Sequence, residues 1–404
     1  MHDNKINYIN NAGIATIPDG TTAIEPHAFQ GCRNLKSVKI PDSVTSIGKS
    51  AFNFCQSLKS ITIPDSVTSI GDDVFSGCLS LESITIPNGI TSIGDDVFWG
   101  CSSLKSITIP NGVMSIGEWA FSSCEFLESI TIPDSVVSIG KSAFLDCKSL
   151  KKITIPNSMT SISESAFQGC KNLKSVKIPD SVTSIYSWAF SGCESLGSIT
   201  IPNSVTKIGD YAFYNCKSLE NITIPDGVTS IGSWAFHNCK SLKSISIPDS
   251  VMSIGENAFL ACKTIITYKE REYPSYVFSN KNTLPFIKEP SYKNFMRIKT
   301  DGKKIEVLIK ARLALDYIDS DERFVEYVRE NCADLIKHSV ENEDWDALDK
   351  IFKSKHKLLR SKQLDECLEF AIENNYHELS ILLMQYKENT GNYDKDDNRF
   401  ELEL

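Results

Sequence analysis

The chain has 404 residues, of which 41% are hydrophobic and 23% are charged, and its formal net charge is -9. This length and apolar content allow a sizeable buried core. No apolar run approaches the ~20 residues of a membrane-spanning helix, and the first residues lack the basic and apolar regions of a secretion signal. The acidic balance also removes the electrostatic attraction that dominates nonspecific nucleic-acid binding. We therefore expect no membrane insertion, no export signal and no nucleic-acid partner.

An Ile-Pro pair recurs along the chain at a spacing of 23 residues without insertion or deletion. The prolines are at positions 18, 41, 64, 87, 110, 133, 156, 179, 202, 225 and 248. Phenylalanine, eleven residues after each proline, and cysteine, fourteen residues after it, keep the same spacing from Phe29 and Cys32 to Phe259 and Cys262. A strict period of this length predicts a solenoid, in which each unit buries its apolar side against its neighbours. We number the eleven coils by these prolines, from coil one at Pro18 to coil eleven at Pro248.

The pattern within one coil predicts its local structure. Isoleucines that alternate with Ser60 and Thr62 predict a strand from Leu58 to Ile63. Pro64 cannot continue a ladder and ends the strand, and Gly71 permits a positive φ. The Ala-Phe-x-x-Cys stretch has helical spacing with room for one or two turns.

The repeat Leu-x-x-Ile-x-Ile-Pro-x-x-Val-x-x-Ile-Gly-x-x-Ala-Phe-x-x-Cys resembles the BspA-like class of leucine-rich repeats over residues 12 to 263. The resemblance implies a curved parallel β solenoid that binds proteins, often at a microbial cell surface, where some members act as adhesins. It implies no catalytic residue.

The cysteine column is expected to hold free thiols that act as small core residues, because bonding between neighbours would distort the ladder. Many unpaired cysteines suit a reducing compartment, which favours a cytoplasmic location; a cell-surface or extracellular location is the alternative.

No cysteine or histidine spacing predicts a metal site.

The outward strand positions are mostly Ser and Thr, as in Ser60 and Thr62. Such ladders could bind ice or a carbohydrate, but solvated strand residues of good β propensity are the favoured interpretation, because a curved face does not match a flat lattice and Lys39 and Lys177 interrupt the ladder. Flanking charges such as Lys59, Glu82 and Lys105 alternate in sign, which predicts no strong field on this face.

Specific contacts of a repeat protein come from the positions that vary, since packing between coils uses the invariant ones. Aromatic residues occupy two variable columns, nine and twelve residues after the proline. The candidate partner-binding residues are Trp119, Trp188, Tyr211, Tyr214, Trp234 and His237. Those from Trp188 to His237 fall in coils eight to ten and are expected to form one patch. Half-exposed aromatics make binding hot spots; alternatively, they fill the turns.

Carboxylates also recur in neighbouring coils, at Asp72, Asp73, Asp95, Asp96 and Glu118. Calcium is conceivable there, but no ligand loop is present, and a solvated acidic edge is the simpler interpretation. No phosphate-binding glycine loop, metalloprotease pair or serine elbow occurs. The sequence therefore predicts neither an enzyme nor a cofactor.

The 23-residue period ends near Lys263. Residues 264–303 are rich in aromatic residues and are predicted to cap the solenoid and connect it onward, with a last strand at Ile265 to Tyr268. Residues 304–388 have helical periodicity, and two similar segments around Asn342 and Asn374 lie 32 residues apart, which resembles ankyrin repeats. Residues 389–404 are predicted to be an acidic mobile tail.

Taken together, these patterns predict an α+β repeat protein: a solenoid at residues 1–263, followed by the connector and an all-α, ankyrin-like domain. The predicted function is a noncatalytic scaffold that binds a protein partner through variable surface positions. A surface or released adhesin that binds host matrix proteins, and a carbohydrate-binding protein that uses the Ser/Thr ladder, are the alternatives.

Overall fold

The computed structural model describes residues 9–281, 283–288, 298 and 304–390. Contacts between Cα atoms divide the chain into two compact units, Met1–Ser275 and Tyr276–Leu404. The boundary between the units lies inside the segment predicted as cap and connector. The tail predicted from residue 389 lies almost wholly outside the described residues.

The first unit is a parallel β solenoid with two rows of short strands, one of longer and one of shorter strands. Hydrogen-bonded pairing divides the described longer strands into four sheets and the described shorter strands into three. The longer strands are β1 Ile14–Thr16, β3 Ser37–Lys39, β5 Ser60–Thr62, β7 Ser83–Thr85, β9 Ser106–Thr108, β11 Ser129–Thr131, β13 Lys152–Thr154, β15 Ser175–Lys177, β17 Ser198–Thr200, β19 Asn221–Thr223 and β21 Ser244–Ser246. The shorter strands are β2 Ala23–Ile24, β4 Ser46–Ile47, β6 Ser69–Ile70, β8 Ser92–Ile93, β10 Ser115–Ile116, β12 Ser138–Ile139, β14 Ser161–Ile162, β16 Ser184–Ile185, β18 Lys207–Ile208, β20 Ser230–Ile231 and β22 Ser253–Ile254. The paired residues stand 23 apart, as in Ile153 opposite Val176.

The core consists of columns of identical side chains. Phe121 and Phe144 are fully buried, and their ring centroids lie 5.3 Å apart with the planes 2° from parallel. The other rings of this column stack in the same way, with centroids 5.2 to 5.7 Å apart. Residues 23 apart therefore lie directly above one another, which confirms the predicted solenoid.

The cysteine column is also buried, and all thirteen cysteines of the chain are free thiols. From Cys55 to Cys262, each Sγ donates a hydrogen bond to the carbonyl of the phenylalanine in the preceding coil, as in Cys147 to Phe121 at 3.1 Å. Burial raises the pKa of the Cys147 thiol well above its usual range. These thiols are protonated donors, which explains why a polar atom is tolerated in this column.

Two local features differ from the sequence interpretation. The Ala-Phe-x-x-Cys stretch forms successive turns instead of helix, because the residues nine and thirteen positions after the proline adopt positive φ, as at Ser142 (55°) and Asp146 (56°). Gly71 is not among the residues of positive φ. Glycine is used there for close approach, since a Cβ atom on Gly71 would lie 2.7 Å from the backbone nitrogen of Lys49 in the preceding coil.

The last coil is followed by β23 Ile265–Tyr268, which has the predicted bounds and pairs parallel with β21. Strand β24, Arg271–Pro274, then pairs antiparallel with β23. This hairpin ends the parallel ladder with a chain reversal and covers its edge.

The second unit is helical. Its described helices are α1 Thr283–Lys288, α2 Lys304–Asp316, α3 Glu322–Glu341, α4 Trp345–Lys353, α5 Ser361–Glu373 and α6 His377–Thr390. The turn after α3 and the turn after α5 are alike: Asn342 and Asn374 each donate a side-chain hydrogen bond of 2.9 Å to the carbonyl four residues earlier, and Glu343 and Asn375 both have positive φ. The 32-residue repeat therefore exists in the backbone, whereas its likeness to ankyrin repeats stays a prediction.

Candidate functional site

The stretch between the shorter and the longer strand of each coil, here called the turn side, carries the predicted aromatic residues. Neighbouring coils are joined there by backbone hydrogen bonds. Within coil eight, Trp188 and Phe190 donate from their N–H groups to the carbonyls of Asp210 and Ala212 in coil nine, at 2.9 and 2.8 Å. The positive φ of Trp188 (62°) is part of this geometry, and every coil has a residue of positive φ at the same position.

The same turns place two columns of side chains next to each other. Tyr214 donates its backbone N–H to the carbonyl of Tyr211 at 3.1 Å, and His237 bonds likewise to Trp234 at 3.2 Å. Side chains nine and twelve residues after the proline therefore emerge on one face of the turn.

The structure brings five of the six predicted residues together, and we call Trp188, Tyr211, Tyr214, Trp234 and His237 the aromatic cluster. The rings of Trp188 and Tyr211 stack with centroids 3.9 Å apart, and Trp234 continues this row 6.0 Å from Tyr211. Tyr214 and His237 form a second stacked pair at 5.1 Å, and their rings meet the first row at angles near 60°. All five side chains are half-buried.

Small residues bound the first row at both ends, because Ser165 and Asn257 occupy its column in coils seven and eleven. The sixth predicted residue, Trp119, is half-buried in the same column of coil five and is separated from the cluster by Ser142 and Ser165. The structure does not bring Trp119 to the cluster.

The polar surroundings of the cluster are acidic. Asp210 and Glu256 are exposed beside it, and an oxygen of Asp210 accepts the backbone N–H of Ser233 at 2.7 Å. Burial lowers the pKa of His237, so its imidazole is neutral at pH 7. The cluster is thus an uncharged aromatic surface with carboxylates at its margin.

The predicted acidic edge links coils through its carboxylates. Asp72 accepts the backbone N–H of Asp95 at 3.0 Å, and Asp95 accepts that of Glu118 at 2.7 Å. Burial and then the neighbouring carboxylates, Asp73 first among them, raise the pKa of Asp96. Within the described ranges, no three His, Cys, Asp or Glu side chains are grouped so as to hold a metal ion.

The Ser/Thr ladder of the longer strands faces outward. Ser60 and Thr62 are exposed, as are their counterparts in most other coils. Lysine replaces these residues at positions 39, 152 and 177, so the hydroxyl rows are not continuous.

The helical unit contains a buried ion network that the sequence did not reveal. Arg312 is fully buried and donates to Asp344 at 2.7 Å and to Asp346 at 2.6 Å, and the hydroxyl of Tyr276 donates to Asp344 at 2.6 Å. Burial first, and then the charge of Asp344, raise the pKa of Tyr276 far above its usual range. Arg312 lies within an apolar stretch of α2, and only the packed helices show which carboxylates surround it.

Comparisons with known proteins agree with this architecture. The family model described as "BspA type Leucine rich repeat region (6 copies)" matches residues 7–127, 68–197, 137–267 and 189–300, which together exceed half of the chain. The chain belongs to the BspA-type leucine-rich repeat family. Proteins of this family are repeat proteins that generally act in protein interaction or adhesion and are generally noncatalytic.

Several solved structures are similar to the chain. A leucine-rich repeat protein from Bacteroides ovatus is 27% identical, with 62% of this chain and 87% of that chain covered and a TM-score of 0.43. A leucine-rich cell surface protein from Faecalibacterium prausnitzii is 30% identical, with 64% and 88% covered and a TM-score of 0.47. The pneumococcal vaccine antigen PcpA is 21% identical, with 64% and 68% covered and a TM-score of 0.45.

No curated protein matches the chain. Among the described helices, none is long and apolar enough to cross a membrane.

Proposed function

We propose that the protein is a noncatalytic scaffold that binds a protein partner through the aromatic cluster. The observation that carries this proposal is the placement of three large aromatic rings, Trp188, Tyr211 and Trp234, at positive φ on one half-exposed surface. A left-handed conformation costs an ordinary residue roughly 1 kcal/mol or more, and Asn and Asp tolerate it better than most residues. Coils three, four and eleven carry Asp73, Asp96 and Asn257 in this column, so the three rings occupy their positions at a local cost in stability.

The chemistry of the cluster fits a protein surface. Aromatic side chains that are already stacked lose little conformational entropy when a partner buries them, and Trp and Tyr are enriched in interface hot spots. The carboxylates of Asp210 and Glu256 at the margin favour a basic residue at the rim of the partner.

The first test replaces Trp188 with Ser and Trp234 with Asn, the residues that coils seven and eleven carry in this column. We expect the double variant to lose partner capture, since each hot-spot ring contributes about 2 kcal/mol of binding free energy. The measurement is affinity capture from the native cell with quantitative mass spectrometry, beside a thermal melt of each variant.

The matched control is Phe126→Ser, which removes a ring that is 60% exposed and introduces the serine that most coils carry at that position. Proteins captured by the parent and by Phe126→Ser but not by the double variant support the proposal. An unchanged set of captured proteins, or a double variant that unfolds, contradicts it, because the rings would then serve packing alone.

We also propose that the protein functions in a reducing compartment such as the cytoplasm. The buried thiol column supports this location, since each protonated Sγ already serves as a hydrogen-bond donor in the core. Fractionation of the native cell separates this proposal from the adhesin alternative, which requires the protein at the surface or in the medium.

A further inference from the structure

Charge is segregated around each coil of the solenoid, although the chain as a whole is acidic. Between Pro18 and Lys263, the edge formed by the longer strand and the five residues before it carries fifteen basic and five acidic residues. The remaining part of the coils carries seventeen acidic and three basic residues. The net charge of the chain therefore does not describe the field at the longer strands.

Coils six and seven are the two adjacent coils that each carry three basic residues on this edge. We call the six lysines at positions 148, 151, 152, 171, 174 and 177 the lysine patch. Because residues 23 apart lie above one another, Lys148 stacks on Lys171 and Lys151 on Lys174, and the register of β13 and β15 places Thr154 opposite Lys177. Five of the six side chains are exposed, and Lys148 is half-buried.

This arrangement differs from that of the neighbouring coils. There, a lysine faces a glutamate of the adjacent coil, as in Lys217 with Glu194 and Lys243 with Glu220, both at 2.8 Å. Like charges also adjoin in single columns elsewhere, as at Lys36 and Lys59, but the expectation that charges alternate along this face was wrong for coils six and seven, where lysines adjoin in two columns at once. Such pairs are destabilising, and local costs of this kind are typical of functional surfaces.

The lysine patch is bounded along the solenoid axis. Lys148 and Lys151 pair with Glu125 and Glu128 of coil five at 2.7 and 2.6 Å, and Lys171 lies 3.6 Å from Glu194 of coil eight. In the part of the chain that the structure describes, no carboxylate pairs with Lys152, Lys174 or Lys177. Three uncompensated cations therefore remain in the middle of the patch.

The shape of the patch selects the kind of ligand. It covers only two coils along the axis, but in each coil it extends over several residues, from the turn at Lys171 to the end of strand β15 at Lys177 in coil seven. The glutamates on both sides would repel a polyanion that followed the axis of the solenoid. A short anionic segment that lies parallel to the strands, from Lys171 to Lys177, meets lysines and the exposed hydroxyls of Thr154 and Ser175, while the half-buried Asp146 lies beyond Lys148 at the end of the patch.

We propose that the lysine patch docks an acidic, extended segment of a partner protein, with carboxylates at intervals that reach the three columns of lysines. The surface is distinct from the aromatic cluster and does not depend on it. Its attraction acts over a distance and therefore steers association, which makes the binding strongly dependent on salt.

The test uses a fluorescent octaglutamate peptide as the probe and full-length protein, with binding measured by anisotropy at 50 and 300 mM NaCl. The variant combines Lys152→Ser, Lys174→Glu and Lys177→Thr, because other coils already carry Ser, Glu and Thr in these columns. We expect the parent to bind the peptide at low salt and the variant to bind about tenfold more weakly or worse, since each exposed charge pair contributes up to about 1 kcal/mol.

The matched control combines Lys49→Glu, Lys141→Ser and Lys207→Ser, which changes the net charge by the same amount outside the longer-strand edge and also introduces residues found in those columns. Peptide binding that is retained by this control and by the double variant Trp188→Ser with Trp234→Asn supports a site at the lysine patch. This result would stand even if the proposed role of the aromatic cluster failed its own test. Equal loss in both lysine variants, or no binding by the folded parent, overturns the proposal. Tighter binding of heparin or a single-stranded oligonucleotide, lost in the same variant, also overturns it in favour of a general polyanion site.

Discussion

Phe144 shows what a single side chain contributes to each coil. It is fully buried, and its ring stacks between Phe121 at 5.3 Å and Phe167 at 5.5 Å. Each neighbouring coil already has its own phenylalanine stacked in this column. No neighbouring side chain is therefore free to fill the cavity that a smaller residue at position 144 would leave. The column is therefore least tolerant of small residues in the middle of the solenoid.

We expect Phe144→Ala to lower the free energy of unfolding of the solenoid by about 3 to 5 kcal/mol, because it removes a buried ring and leaves a cavity. The measurement is urea unfolding followed by circular dichroism. Phe126→Ser, at an exposed position, should change this free energy by about 0.5 kcal/mol or less. Similar losses in the two variants would mean that the phenylalanine column is not the core.

At the scale of the element, the turn side is determined by backbone conformation more than by side-chain spacing. The spacing of Ala-Phe-x-x-Cys suggested helix, yet positive φ nine and thirteen residues after the proline interrupts any helical run. Ala261 lies at one of these positions with a φ of 60°, and it is exposed. Ala258, in the same turn, is fully buried and is not among the residues of positive φ.

We expect Ala261→Gly to stabilise the solenoid by about 0.5 to 1 kcal/mol, because glycine adopts positive φ without steric cost. Ala258→Gly should destabilise it by about 1 kcal/mol, since it loses a buried methyl group and gains freedom in the unfolded chain. Both values are obtained from thermal and urea unfolding. Changes of the same sign in both variants would contradict the role assigned to the turn conformation.

At the scale of the whole molecule, the two units depend on different kinds of interaction. The solenoid repeats one apolar core, whereas the helical unit joins Tyr276, α2 and α4 through Arg312 and Asp344. Asp344 also accepts the backbone N–H of Ala347 at the start of α4. A charge network of this kind stabilises only when it is complete, because removing one partner leaves the other buried and unpaired.

We expect Arg312→Met to destabilise the helical unit by about 3 to 5 kcal/mol, as buried pairs do when one partner is removed. Lys353→Met, which removes an exposed pair with Asp349, should cost at most about 1 kcal/mol. Limited proteolysis and urea unfolding should show earlier loss of residues 276–390 in Arg312→Met, with the solenoid unaffected. Equal behaviour of the two variants would show that the network does not support this unit.

Much of the fold follows from the sequence alone. An unbroken period of 23 residues determines which side chains lie above one another, because parallel strands in register have no other way to bury identical apolar positions. The columns of Phe144 and Cys147, the last strand at Ile265–Tyr268 and the proximity of Trp188, Tyr211 and Trp234 were predictable for this reason.

Other features depend on the tertiary structure. The positive φ of Trp188 is set by hydrogen bonds to the next coil, and the partners of Arg312 come from helices distant in sequence. The lysine patch was not predicted because the alternation of Lys59, Glu82 and Lys105 describes one column in coils two to four, whereas the patch depends on several columns of coils six and seven together. The periodicity predicts which residues are neighbours. The conformation of the turns and the total charge of a face are determined only when the coils stack.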